Sequence, residues 1–488
     1  MAAMRYITIE IWEYLILILY MVALGFIMSR RKNIEIRKHP EYRYYLMGVY
    51  VKVLGGFMFT MVYMYYYKLG DVFSYFSSSV ALANLAREDV LKYFQAMVME
   101  NNWENYHRLF NRSTGFPVNY VYIDDRTYLL VRMVSPLTLI SMNSFVLTTA
   151  MVSTVAYGGV WKLYRMLVRY YPSLQGQLAF AVLFFPSSVF WGSGIVKDTF
   201  AFSGLCYYLH SMDIIFFQKK GSFGVWLTVV LGALLMVLLK PYVFMMLFPA
   251  SLFWVLYRRV QRFRNVLIRA SVLPMTSVAL LLITVNVLQR LEGRLGKFSL
   301  ERALDTVVVA QNDMKRSQYG ANYFDLGNIE PTWNSVLSKF PQAVFAGLFR
   351  PLLSDVNNFA MLLSALENTF IVLVMLYILV RSNVVFFVQL ILKNPLLQMC
   401  YLFAIGYAFM IAVTTPNFGA MVRFKIPLLP LFMTALFISR YILDKRREAL
   451  SAGKSFSLDD YTDGDPDRAA YVGSGKSGKH PAGGRTSR

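Results

Sequence analysis

Histidine and cysteine are nearly absent from this chain. Four His and two Cys in 488 residues leave no clustered spacing of the kind a zinc site needs. Cys206 and Cys400 each fall inside an apolar run, where they read as packing residues and not as a disulfide framework. Charge is scarce as well. Only 16% of residues are Asp, Glu, Lys or Arg, against about a quarter in soluble domains. The strict apolar–polar alternation of a membrane β-barrel is missing, and neither heptads nor tandem repeats occur.

What fills the chain is apolar. Hydrophobic residues make up 57% and aromatic residues 16%. Several apolar runs approach the roughly 20 residues that cross a bilayer as helix. The expectation is an all-α polytopic membrane protein. The net charge of +21 is not a nucleic-acid footprint, because most of the cations cluster beside apolar runs, as membrane topology requires.

The pattern predicts about eleven spans, near 11–29, 45–67, 143–163, 176–190, 199–217, 223–239, 242–257, 271–288, 360–380, 396–413 and 426–442. The first carries no cleavage site and reads as a retained helix. The basic blocks RRKNIEIRK (30–38), RRVQRFR (258–264) and DKRRE (444–448) fix one face as cytoplasmic by the positive-inside rule. The N-terminus is then outside and the C-terminus inside. Residues 1–448 form the membrane bundle, with longer outer segments at 68–130 and 289–358. Two amphipathic stretches, 128–141 and 383–393, are expected at the interface. The polar tail 449–488 is expected to be disordered. Its Gly473–Lys479 run imitates a phosphate-binding loop, but His480 stands where Ser or Thr is required.

Four cations break the positive-inside pattern. Lys197, Lys240, Arg423 and Lys425 all fall at outer turns. Cations retained there point to an anionic ligand. Arg350 lies in the second outer segment, before Pro351. Carboxylates accompany them: Asp71 just after the second span, Asp198 beside Lys197, and Glu367 inside the ninth span. A lone acid in a span normally faces a bundle interior or a cavity. The outer turn FFPSSVFWGSGIVKD holds Trp191 and Ser193 beside its helix breakers, while Tyr242 and Asn417 flank the other turns. Arg grips phosphate oxygens bidentately and Lys adds a point charge, so a diphosphate on a lipid carrier suits this set. Asp71, or else Glu367, would take the proton of an attacking hydroxyl, and no nucleotide is needed. No cofactor is expected, although the adjacent Asp124 and Asp125 leave a divalent metal open.

These residues resemble a family. VRFKIPLLPLF (422–432), the Pro-containing turn at 184–198, GDVFSYF and LFRP are similar to stretches of bacterial membrane glycosyltransferases of the GT-C type and polysaccharide repeat-unit polymerases. The resemblance covers roughly 45–442 in scattered short motifs. It implies a GT-C-like bundle in the inner membrane of a bacterial envelope. It implies a polyprenyl-(pyro)phosphate-linked glycan donor, a glycan acceptor, and chemistry at the outer face. Arg423 and Arg350 would match the arginines that hold lipid pyrophosphate. One departure is the position of the acid: Asp71 follows the second span, where the family has its acid after the first. Two rival expectations stand beside this one, a transporter or flippase for an anionic glycolipid and a membrane scaffold of an envelope assembly.

Overall fold

A computed structural model describes residues 8–68, 70–260, 300–314, 323–458 and 461. Among them there is no β-strand, only one bridge between Tyr323 and Asn417. The helices are α1 (Ile11–Glu35), α2 (Tyr45–Met61), α3 (Asp71–Glu88), α4 (Val90–Val98), α5 (Trp103–Leu109), α6 (Asn119–Ile123), α7 (Asp125–Ile140) and α8 (Phe145–Tyr170). They continue with α9 (Gln175–Ala179), α10 (Pro186–Trp191), α11 (Lys197–Phe216), α12 (Phe223–Leu239) and α13 (Pro241–Val260). The last group is α14 (Leu300–Met314), α15 (Trp333–Ser338), α16 (Phe340–Phe349), α17 (Phe359–Arg381), α18 (Val384–Lys393), α19 (Pro395–Thr414), α20 (Phe418–Phe424) and α21 (Leu428–Ser451).

Four helical stretches are long and apolar enough to cross a membrane alone: Ile11–Glu35, Pro40–Tyr67, Met361–Arg381 and Pro395–Thr414. Two bent pairs, α7 with α8 at 116° and α20 with α21 at 66°, raise the number to six. The chain is therefore an α-helical protein built to sit in a membrane. Its first helix carries an exposed apolar face of Ile11, Leu15, Ile18, Leu19, Val22 and Phe26, which lipid would cover.

Among the described residues, eleven separate spans are not seen. The expected span at 271–288 lies outside the described residues. The one at 176–190 is broken into α9, a π-helical turn at Phe180–Phe184, and α10, because Pro186 cannot donate to the preceding turn. The expected pair at 223–239 and 242–257 forms α12 of 17 residues and α13 of 20, about 26 Å and 30 Å long at 1.5 Å per residue, and neither is among the stretches that pass as a span alone. The one at 199–217 is helical as α11, with Lys197, Asp198 and Asp213 within its bounds.

The first expected outer segment is not a loop but a folded layer. In α3, Ser78 and Ser79 turn their hydroxyls back onto the carbonyls of Ser74 and Phe76, both at 2.7 Å. That satisfaction lets a serine-rich face be buried. Ser79 also meets Thr138 of α7 at 2.9 Å. Val72, Phe76, Leu82 and Leu85 from α3 share one apolar cluster with Val131 and Val134 from α7. The tail is described only to Leu458, and at Tyr461, whose carbonyl accepts from the Tyr171 hydroxyl at 3.3 Å. The rest of it, with the Gly473–Lys479 run, lies outside the described residues.

Candidate functional site

Four turns meet at one end of the bundle. The first follows α2. A π-helical turn at Val62–Tyr67 ends on Lys68 in the left-handed region (φ 55°). Gly70 then takes φ 149°, and a Cβ there would approach the Tyr63 ring to 2.7 Å. Only glycine makes this corner without strain, and it sets Asp71 at the first position of α3. The second turn joins α10 to α11. Gly192 is required because a Cβ would lie 2.5 Å from the Ser188 carbonyl oxygen. Ser153 caps the Ser193 carbonyl at 2.7 Å, and Thr199 caps that of Gly194 at 2.7 Å. Those bonds fix the start of α11 and so place Lys197 and Asp198. The third turn is Lys240, between α12 and α13. The fourth runs from Thr415 to Asn417, whose side chain caps α20 by accepting from Ala420 N at 3.0 Å.

These turns enclose a cavity of about 1040 Å³, at the upper end of ligand-pocket sizes. Lys197, Lys240, Arg423, Asp71, Asp198 and Tyr242 all line it, together with Tyr75, Asp124, Asp125 and Arg126. Asp198 is buried and bridges two cations. Its Oδ1 lies 3.2 Å from Lys240 Nζ and its Oδ2 lies 3.4 Å from Arg423 Nε. Arg423 Nε makes no hydrogen bond, so its contact with Asp198 is purely ionic. The Lys240 ammonium also rests over the Phe424 ring, 3.9 Å from its centroid, which holds a desolvated cation without a further carboxylate.

Carboxylates from the 124–125 turn and from the start of α3 also line the cavity. Lys197 Nζ contacts Asp124 Oδ2 at 3.1 Å and the Thr127 hydroxyl at 2.6 Å. Thr127 in turn donates to Asp124. Burial raises the Asp124 carboxyl, but the Thr127 bond and the Lys197 charge outweigh it and hold the group below its usual range. Asp71 faces the cavity, with Tyr120 OH 3.4 Å from its Oδ1. Asp125 accepts from Asn101 Nδ2 at 3.0 Å. Four carboxylates and four cations line the space, so its formal charge is balanced.

Other expected site residues lie elsewhere. Lys425 is buried, and its ammonium donates to the carbonyls of Leu348 at 3.2 Å and Arg350 at 2.5 Å, and to Asn368 Oδ1 at 3.4 Å. Arg350 pairs with Asp355, Nε to Oδ2 at 3.0 Å, and lies over Phe418 at 5.1 Å. Both therefore brace the segment below α20. Glu367 caps α10 by accepting from Ser187 N at 2.9 Å and from the Ser187 hydroxyl. Trp191 packs on Phe59 with ring centroids 6.0 Å apart, and Ser193 donates to the Val189 carbonyl. Among the described residues no group of three or more His, Cys, Asp or Glu is placed to hold a metal.

Tyr75 and Thr127 escaped the sequence reading as site residues. In sequence, the Asp-Asp-Arg run at 124–126 reads only as an open site for a divalent metal, not as a partner of Lys197. Fold and site together define a multi-helix membrane protein with a polar, charge-balanced cavity at one end. No family model matches the chain, and no curated protein or solved structure is similar to it.

Proposed function

We propose that this protein is a membrane glycosyltransferase or glycan polymerase that uses a polyprenyl-(pyro)phosphate-linked donor. Its chemistry would take place at the outer face of a bacterial inner membrane. The observation that carries the reading is the meeting of Lys197, Lys240 and Arg423, from three separate turns, with Asp71 in one cavity. The cavity's elements run away from it to basic ends. α11 starts at Lys197 and reaches Asp213, which pairs with Arg169, about 24 Å further on at 1.5 Å per residue. Arg165 pairs with Glu41 at 3.2 Å among the same basic groups. By the positive-inside rule that end is cytoplasmic and the cavity is external, with the N-terminus outside and the C-terminus inside.

In the proposed reaction Lys240 and Arg423 bind the donor phosphate. Asp198 fixes both cations beforehand, so no reorganisation is needed as charge develops on the leaving oxygen. The acceptor hydroxyl attacks the anomeric carbon and forms the new C–O bond while the bond to phosphate breaks. Asp71 takes the hydroxyl proton, and the lipid (pyro)phosphate leaves with the electron pair. Lys197, paired with Asp124, adds positive charge to the cavity lining. Arg350 and Lys425 act at a distance, holding the base of α20.

The test is reconstitution with a lipid-linked oligosaccharide, with products separated by gel. New glycosidic bonds support the reading, and Asp71→Asn should abolish them while donor binding persists. Movement of lipid across the bilayer without a new bond would overturn it in favour of a transporter. Neither bond nor movement would point to a scaffold.

A further inference from the structure

The short helix α4 carries an apolar stripe that other described residues leave open. Val90, Leu91, Phe94 and Val98 are 60%, 70%, 62% and 82% exposed. Their spacing places them on one side of a helix. The other side is seated: Tyr93 OH meets Ser135 Oγ of α7 at 3.1 Å, and Arg132 Nε donates to the Ala96 carbonyl at 2.9 Å. Asp89 caps the helix, accepting from the backbone N–H groups of Leu91 and Lys92 at 3.0 Å each.

The level of α4 can be read from its neighbours. Just before it, Arg87 Nη2 donates to the Leu139 carbonyl at 3.3 Å, and Asn84 Oδ1 accepts from Asn143 Nδ2 at 3.0 Å. Both bonds tie the α3–α4 junction to the elbow between α7 and α8. That elbow joins α7 and α8, a bent pair that is apolar enough for one span only when taken together, and Ile140 and Met142 are exposed there. Ser144, the cap of α8, donates to Glu13 Oε2 near the start of α1 at 2.6 Å. The start of the candidate span α1 and the elbow of the bent pair thus meet near the start of α4. α7 is bent 116° from α8, so with α8 upright in a bilayer α7 would run within about 30° of the bilayer plane.

We infer that α4 is an interfacial helix whose Val90, Leu91, Phe94 and Val98 face is embedded in the headgroup–acyl boundary of the outer leaflet. The occupant is bilayer lipid, because the stripe continues the exposed apolar elbow of a membrane-crossing pair and carries no charge. Asp125, Arg126 and Leu129 at the other end of α7 line the cavity. A lipid-borne substrate would therefore reach that cavity within the leaflet, without leaving it. This last consequence rests on the proposed function, whereas the seating of α4 does not.

The test places nitroxide labels at Leu91→Cys, Phe94→Cys and Val98→Cys in the full chain, in liposomes. Lys92→Cys, whose native side chain is 48% exposed, serves as control. Cys206 and Cys400 are buried, and an unsubstituted sample checks that they stay unlabelled. Oxygen should relax the labels at 91, 94 and 98 more than a water-soluble nickel chelate does, and the order should reverse at 92. Nickel-dominated relaxation at all four positions would overturn the inference. So would labels shielded from both reagents at 91, 94 and 98, which would mean that a protein covers the stripe. The readout needs no activity, so its failure is separate from failure of the proposed reaction.

Discussion

Asp198 holds the balance of the cavity at the level of single residues. Its carboxylate is the shared counter-charge of Lys240 and Arg423, and all three are largely desolvated. Removing one partner of a buried pair leaves uncompensated charge and costs about 3–5 kcal/mol. Asp198→Ala should therefore lower the unfolding midpoint in detergent strongly. Lys197→Ala should cost about 1 kcal/mol or less, because the Asp124 side chain it meets is 49% exposed. The two variants compared in one thermal-unfolding series check the contrast. The pH response follows from Asp124 and Asp355. Each is held below its ordinary range, burial raising it and bonded partners lowering it more: Thr127 and Lys197 for Asp124, Arg350 and Leu352 N for Asp355. A depressed carboxyl contributes stability that is full above its unfolded value and is lost as pH falls through the folded one. These two groups should thus add no pH dependence between about pH 8 and 5, and an acid loss only below about pH 4. Asp124→Asn should remove part of that acid limb in melts taken across the range.

α10 shows at the scale of elements what a broken helix requires. Pro186 deprives it of a donor, and Glu367 from α17 supplies an acceptor for Ser187 N and Oγ. Glu367→Gln keeps a carbonyl acceptor and an amide donor, and should retain fold and activity. Glu367→Ala should lose about 1–3 kcal/mol for the unmet groups, with reduced activity because α10 leads into Lys197 and Asp198. A dead but fully stable Glu367→Gln protein would instead make Glu367 the reacting acid or base. This element was half legible in the sequence: Pro186, Gly192 and Gly194 marked the break, while the partner of the acid on α17 could not be read from spacing. The α3–α7 layer was legible in part. Residues 128–141 read as an amphipathic interfacial stretch, whereas the fold of α3 was not legible, because its serines bond their own helix and bury a small-residue face. The cavity was legible in its components, since topology flagged Lys197, Lys240 and Arg423. Lys425 carried the same topological mark, yet two backbone carbonyls take its ammonium into the core. Charge against the positive-inside bias marks a side of the membrane, not a direction for the side chain.

The molecule as a whole couples apolar outer faces to a polar cavity at one end. The proposed orientation is open to a direct check: if it holds, a fluorescent protein fused after the C-terminus should mature and fluoresce in a bacterial host, because the proposal puts that end in the cytoplasm. An alkaline phosphatase fusion at the same point should stay inactive.

The most direct measurement is glycosidic-bond formation by the purified protein in liposomes carrying a polyprenyl-pyrophosphate oligosaccharide. Unsubstituted protein should lengthen or transfer the glycan. Arg423→Ala should cut the rate at least about a hundredfold, the scale of losing a transition-state charge contact, and Arg423→Lys should recover part of it. Undiminished product with Arg423→Ala, or lipid crossing the bilayer with no new bond from the unsubstituted protein, would contradict the assignment of this cavity to glycosyl transfer.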